Sequence, residues 1–247
     1  MAVQKVHELV MRASVCMATY NGARFLRPQL ESILSQLGAD DELVVSDDGS
    51  TDETCALVSG LADARIRLLR NPDGRGHVRN FAHAMSQARG EFIVLSDQDD
   101  VWTEQRLEHM LAKLRMSPGR TLLVGDFVEF DANGFLSPRN CLGPSPASQC
   151  WQLARLFLGR AKYFGAAFVF RRELLRYVLP IPARIEAHDI WIAMNACLHG
   201  GVEHLAETTL LRRLHGGNLT LERHRALPLV VRSRFFYLCG IVQASLR

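Results

Sequence analysis

The 247-residue sequence lacks any Cys-x-x-Cys pair, any lysine-rich tract and any uncharged run of the roughly 18 to 20 residues that crosses a bilayer. Its six cysteines, Cys16, Cys55, Cys141, Cys150, Cys197 and Cys239, are far apart and form no zinc-type cluster with histidine. They read as reduced, mostly buried small hydrophobes of a cytosolic protein. The N-terminus mixes charged and apolar residues without the apolar stretch of a secretory signal. The nearest approach to a membrane segment, Phe235–Leu246, is 12 residues long, which suits a core helix or an interfacial segment. With 29 Lys and Arg against 26 Asp and Glu the formal charge is +3, so no nucleic acid partner is expected.

What is present is an alternation of short apolar runs with helical patterns, the mark of an α/β fold with a mostly parallel central sheet and flanking helices. Ser14–Ala18 is a predicted strand, followed by Leu26, Leu30, Ile33, Leu34 and Leu37 at helical spacing, with Pro28 tolerated in the first turn. Leu43–Ser46 is the next strand; after Asp47-Asp48-Gly49, Ser50 and Glu53 have the spacing of a capping box. Ile66–Leu69 is a third strand, and His77–Ala88 a helix with Val78, Phe81, Ala82, Met85 and Ala88 facing inward. Phe92–Ser96 is a fourth strand, apolar enough to be buried on both faces. Beyond Asp131 the pattern loosens. Asn140–Gln149 reads as a mobile loop, Phe164–Phe170 as a strand, His188 as the start of a helix, and Val202–Leu205 and Leu210–Leu214 as two more strands.

The first, second and fourth strands end in polar loops at Thr19, Asp47 and Asp97, and ligands of open α/β sheets sit at that carboxyl edge. Asp97, Asp99 and Asp100 fall within four residues, where like charges repel unless solvent, hydrogen bonds or a cation compensate. Oxygen donors select Mg2+ or Mn2+; the plainer alternative is a solvated turn capping a helix that begins near Thr103. At Asp47-Asp48, one carboxylate can accept from a nucleobase N–H while the other braces the loop, or both can simply form a turn with Gly49 at positive φ. Gly74-Arg75-Gly76 opens like a dinucleotide fingerprint, but Arg79 stands where the third glycine belongs, so no nicotinamide or flavin site is expected. Arg79 itself is a cation for phosphate or base, or a surface arginine.

ATYNG at 18–22, VVSDDGSTDET at 44–54, NFAHAMSQARGEFIVLSDQDDVW at 80–102 and HDIW at 188–191, in that order, resemble the inverting glycosyltransferases of family 2, which have a GT-A fold. The resemblance covers roughly residues 13–220, and DQDDVW with LRRLHGGNLT at 211–220 is most similar to the rhamnosyltransferase-like branch. It implies one GT-A domain over 1–247, with a nucleotide-sugar half (1–130) and an acceptor half (131–247) ending in a helical segment. It implies further that Thr19, Tyr20 and Asn21 line the nucleotide pocket and that Asp47 or Asp48 reads the base. Asp97 and Asp99 would form the metal-binding D-x-D for Mn2+ or Mg2+, Asp99 as the direct ligand and Asp97 on the ribose or beside the metal's ligands.

Asp189 matches the family's catalytic base, and the acidic residue that usually precedes it is replaced by His188. His188 and Trp191 are assigned to the acceptor side, with core packing the alternative for Trp191. A histidine in the position of His215 approaches the metal or the diphosphate in related enzymes, and Arg212 and Arg213 can neutralise phosphate.

The expected partners are a nucleoside-diphosphate sugar and a polysaccharide, lipopolysaccharide or lipid-linked acceptor. The competing readings are a nucleotidyltransferase and a sugar- or nucleotide-binding module without turnover. The first is disfavoured because none of the three lysines, Lys5, Lys113 and Lys162, follows a glycine-rich loop. Charge is unevenly divided: residues 1–150 carry 15 basic and 20 acidic side chains, whereas residues 151–247 carry 14 and 6. The basic half, with Arg223, Arg225, Arg232 and Arg234, suits peripheral association with the anionic inner face of a membrane.

Overall fold

A computed structural model describes residues 11–72, 76–134, 136–139, 142–161, 163–216 and 227–245. Its N-terminal part is built from β1 (Ala13–Thr19), α1 (Ala23–Leu34), β2 (Asp41–Asp47), α2 (Thr54–Gly60), β3 (Ile66–Arg70), α3 (His77–Ser86) and β4 (Phe92–Ser96). The four strands pair in parallel in the order β3-β2-β1-β4. Period-2 alternation sorts their side chains onto two apolar layers. Val15, Met17, Phe92 and Val94 pack against α1, whereas Cys16, Ile93 and Leu95 share the other layer with Phe81 and Met85 of α3. This two-sided burial explains why these strands read as unbroken apolar runs.

The chain then runs through β5 (Val101–Trp102), α4 (Arg106–Arg115), β6 (Leu122–Phe130), β7 (Leu136–Arg139), α5 (Gln149–Phe157), β8 (Phe168–Arg171), α6 (Leu175–Val178), α7 (His188–Leu198), β9 (Val202–Arg213) and α8 (Leu227–Ser245). These strands extend the same curled sheet in the order β4-β8-β6-β9-β5, with β7 beside β6. The α/β class is as expected, with the parallel arrangement strict only through β4. β8 lies antiparallel to both β4 and β6, and β9 runs parallel to β6 and antiparallel to β5.

Several local expectations are corrected. Ser50 and Glu53 form no capping box, because the Ser50 hydroxyl is spent on Asp47 Oδ1 at 2.5 Å. Pro28 lies in the second turn of α1, where its missing N–H leaves the Arg24 carbonyl without its helical partner. In α3, Phe81, Ala84 and Met85 are buried, with Val78 and Ala82 only half-buried. The first half of Phe164–Phe170 is a 3-10 turn at Gly165–Ala167, and the helix expected near Thr103 begins at Arg106 after β5. The two strands expected after residue 202 are the single strand β9, which passes a register shift opposite Gly125 and Asp126.

The described part of Asn140–Gln149 is tied down: Leu142 is buried, Ser145 Oγ accepts from His204 N at 3.0 Å, and Ser148 caps α5. Asn140 and Cys141 lie outside the described residues. Among the remaining cysteines only Cys16 is fully buried; Cys150 is exposed and the other three are half-buried.

Gly90 joins the helical layer to the sheet. A Cβ there would lie 2.5 Å from the backbone of Ala13 and Ser14, and its N–H donates to Ser14 Oγ at 2.8 Å. Gly90→Ala is expected to cost about 1–3 kcal/mol by overpacking β1, read as a lower urea midpoint at unchanged slope.

Candidate active site

β4 ends at Ser96, and the chain turns out of the sheet with three carboxylates in four residues. One oxygen each of Asp97, Asp99 and Asp100 lies within 4.8 Å of the others. The turn is fastened to α1 by Gln29, whose Nε2 donates to Ser96 Oγ at 2.7 Å and to the Asp97 carbonyl at 3.0 Å. Burial and the neighbouring carboxylates push Asp97 up to about 7, against the pull of Arg212. Asp100, only 2% exposed, is raised well above the usual range by burial and by Asp97 and Asp99. The oxygen donors of this cluster fit a hard divalent cation.

The C-terminal end of β9 brings countercharge to the cluster. Arg213 N–H donates to Asp100 Oδ1 at 3.0 Å, and its guanidinium Nε donates to the Asp99 carbonyl at the same distance. Arg212 ion-pairs with Glu129 at 2.6 Å. His215 Nε2 lies 2.7 Å from Asp99 Oδ2, its ring stacked on Phe25 at 4.5 Å. From inside, the buried guanidinium of Arg106 faces the charge of Asp100 and donates to the Ala166 carbonyl; burial lowers it to about 9.

The loops after β1 and β2 form the adjoining wall. Thr19 Oγ1 donates to Asp47 Oδ1 at 3.0 Å, and Asp47 also accepts from the N–H of Gly49 and Ser50. Burial works to raise Asp47, but these bonds with those from Ser50 and Cys55 hold it below the usual carboxylate range. Asp47 is therefore the brace of its loop. Asp48 accepts from Asn71 Nδ2 at 2.9 Å and from Gly76 N–H at 2.7 Å, which presents it beside the loop after β3.

Asn21 adopts φ +45°, donating its N–H to Ser50 Oγ at 2.9 Å and accepting from Thr51 N–H at 2.8 Å. Tyr20, 43% exposed, exchanges backbone hydrogen bonds with the Gln98 amide at 2.9 and 3.2 Å. Gln98 packs so closely on Gly22 that a Cβ there would meet its Oε1 at 2.2 Å. Arg79 is exposed on α3. Gly74 and Arg75 lie outside the described residues.

α7 brings the third part. Asp189 stands in its first turn, with Oδ1 accepting from Ile190 N–H at 2.7 Å. Burial lifts its carboxyl to about 6, and its charge is felt at Asp97. His188 is buried, stacked on Phe81 at 4.2 Å, with neither ring nitrogen hydrogen-bonded; burial and His77 push it down to about 3, so the ring is neutral. The assignment of Trp191 to the acceptor is corrected: it is 1% exposed, and its indole N–H donates to the Val178 carbonyl at 2.9 Å. It is a core residue.

A family model described as "Glycosyl transferase family 2" matches residues 14–178, which contain β1 to β8 and all three loops. The chain belongs to glycosyl transferase family 2. It is 30% identical over 223 residues to an uncharacterized glycosyltransferase of Nostoc sp., covering 84% of this chain and 66% of that one. It is 35% identical over 101 residues to the UDP-Glc:alpha-D-GlcNAc-diphosphoundecaprenol beta-1,3-glucosyltransferase WfgD of Escherichia coli, covering 41% and 40%. The chain thus spans 40% to 66% of the length of these relatives. Among solved structures, residues 1–349 of Staphylococcus aureus TarS with UDP-GlcNAc superpose with a TM-score of 0.74 at 20% identity, covering 96% of this chain and 68% of that one, so the two share a fold.

In this family-2 chain the structure gathers Thr19, Tyr20, Asn21, Asp47 and Asp48 at one sheet edge, and Asp97 and Asp99 with His215. Gly217 and Asn218 lie outside the described residues. Sequence reasoning missed Gln29, Asn71, Gln98, Phe25 and Arg106. Asn71 had a signal, being the first polar residue after β3, and so did Gln29, a polar residue on the apolar stripe of α1. His215→Ala is expected to lower Mn2+ affinity about tenfold or more in the presence of a nucleoside diphosphate, measured by titration calorimetry, because it removes the group that orients Asp99.

Proposed function

We infer that the protein transfers a sugar from a nucleoside-diphosphate donor to a hydroxyl of a glycan or lipid-linked glycan, with inversion at the anomeric carbon. The observation that carries this reading is the gathering of Asp97, Asp99 and Asp100 within 4.8 Å at the end of β4, with Asp189 at a helix start where its charge acts on Asp97. In this reading Asp99 and Asp97, with Asp100 and His215 beside them, hold Mn2+ or Mg2+. A cation bound there would supply charge neutralisation for the donor diphosphate. Thr19, Tyr20, Asn21 and Arg79 face the nucleotide, and Asp48 reads the base while Asp47 holds the loop.

The chain's own groups account for the rest. The acceptor hydroxyl gives its proton to the Asp189 carboxylate, its oxygen bonds to the anomeric carbon, and the bond from that carbon to the diphosphate oxygen breaks. The nucleoside diphosphate leaves with the electron pair, beside Arg212, Arg213 and His215. His188, neutral and buried next to the base, completes the acceptor side with ring nitrogens that have no hydrogen-bond partner among the described residues.

For the sugar itself, support comes from DQDDVW and LRRLHGGNLT, which resemble the rhamnosyltransferase-like branch, whereas WfgD is named for glucose. A nucleotide-sugar panel scored by product decides between them. Release of a nucleoside diphosphate supports transfer, and release of pyrophosphate overturns it.

The pH dependence follows from Asp189. A base must be ionised to act, and its carboxyl is raised to about 6, so activity is expected to rise with pH through about 6 and level off above. Asp189→Asn is expected to lower kcat by about 10²–10⁴-fold, leaving nucleoside-diphosphate binding intact by calorimetry. Wild-type turnover in this variant would remove Asp189 from the mechanism.

A further inference from the structure

α8 turns two unlike faces to its surroundings. On the inner face the Tyr237 hydroxyl donates to the Ala187 carbonyl at 3.2 Å, just before Asp189, and a Cβ at Gly240 would lie 2.9 Å from the Trp191 ring. This face holds the start of α7. The outer face carries Phe235, Leu238 and Val242 at helical spacing, 60%, 52% and 53% exposed, with Arg232 exposed one turn before them. α8 contains no acidic residue.

A second stripe lies on α5. Trp151 and Leu158 are 61% and 60% exposed, with the Arg155 guanidinium 4.8 Å over the Trp151 ring. Residues 149–160 also lack acidic side chains and end in exposed Arg160. α8 approaches the segment just after α5, where Arg234 Nη2 comes within 3.0 Å of the point from which a side chain at Gly159 would start. Arg223 and Arg225 lie outside the described residues.

We propose that the outer faces of α8 and α5 form a docking surface for an anionic phospholipid bilayer, on which the protein lies without crossing it. Exposed aromatic and aliphatic side chains interleaved with arginine, on helices that carry no carboxylate of their own, match the boundary between acyl chains and anionic headgroups. No helix among the described residues is long and apolar enough to span. Charge decides against a second copy of this chain, because a symmetric contact on this face would set arginine against arginine. Because the inner face of the same helix holds the segment that carries Asp189, docking would set the base at a fixed position over the headgroups. The surface does not depend on what the acceptor is, and it goes beyond the transfer reaction proposed above.

The test is co-sedimentation of the full chain with phosphatidylcholine vesicles and with phosphatidylcholine–phosphatidylglycerol vesicles, without donor, at low and high salt. The expected result is binding to the anionic vesicles alone, weakened by salt and reduced about tenfold or more in Phe235→Ser/Leu238→Ser/Val242→Ser. Arg160→Glu/Arg232→Glu, which alters only exposed side chains, is expected to lose binding while keeping the wild-type circular dichroism and melting curve. Absence of binding to anionic vesicles, binding indifferent to charge, or a concentration-dependent dimer abolished by the triple substitution would overturn the proposal. None of these readouts requires turnover, so they stand apart from any failure of the transferase reading.

Discussion

Three carboxylates whose oxygens lie within 4.8 Å of one another cannot all keep their charge in a shielded turn without compensation, and the rest of the site is arranged around that constraint. Burial, and after it the neighbouring carboxylates, raises Asp97 and Asp100 above the usual carboxylate range. Arg213 and His215 approach from β9, Arg212 acts from the same strand, and Arg106 approaches from beneath. Arg212 is itself committed to Glu129, and Arg106 donates to the Ala166 carbonyl, so each of these two cations is shared with another acceptor. Three carboxylates gathered at the carboxyl edge of a parallel sheet are suited, in the proposed reaction, to a divalent cation that arrives with a diphosphate.

The topology serves this arrangement. Parallel strands β1, β2 and β4 deliver their following loops to one edge, and each loop is closed by a bond to its neighbour: Thr19 to Asp47, Gln29 to Ser96, Asn71 to Asp48. The mixed half of the sheet has a different task. β9, twelve residues long, carries the chain beside β6 and returns Arg212, Arg213 and the following His215 to the carboxylates, more than a hundred residues after them in sequence. α8 holds the start of α7, and with it Asp189, through Tyr237 and the close fit of Gly240 beneath Trp191.

The half of the fold that was legible in the sequence is the half built from strands buried on both faces, because β1, β2 and β4 appear as apolar runs cut off by polar loops. β6 is harder to read, since Asp126 and Glu129 are buried within it and interrupt the apolar pattern, and β5 has only two residues. The candidate residues Asp97, Asp99, Asp189 and His215 were legible as motifs, but the contact between His215 and Asp99 is tertiary and has no local signature. Trp191 was misassigned for a related reason. Proximity to Asp189 in sequence says nothing about direction on a helix, and two residues along α7 the side chain points into the core. Asp47 and Asp48 are chemically alike in sequence, and it is the donors converging on Asp47 that mark it as the brace of its loop.

The central claim is that the carboxylate turn binds a nucleoside diphosphate through a cation the chain does not itself provide. Its most direct test is calorimetric titration of UDP and other nucleoside diphosphates into the wild-type protein, first with Mn2+ and then after chelation. One nucleoside diphosphate binding at a single site, at least about tenfold more tightly with the metal than without, is the predicted result. Equal affinity in the two conditions, or no binding in either, would contradict it.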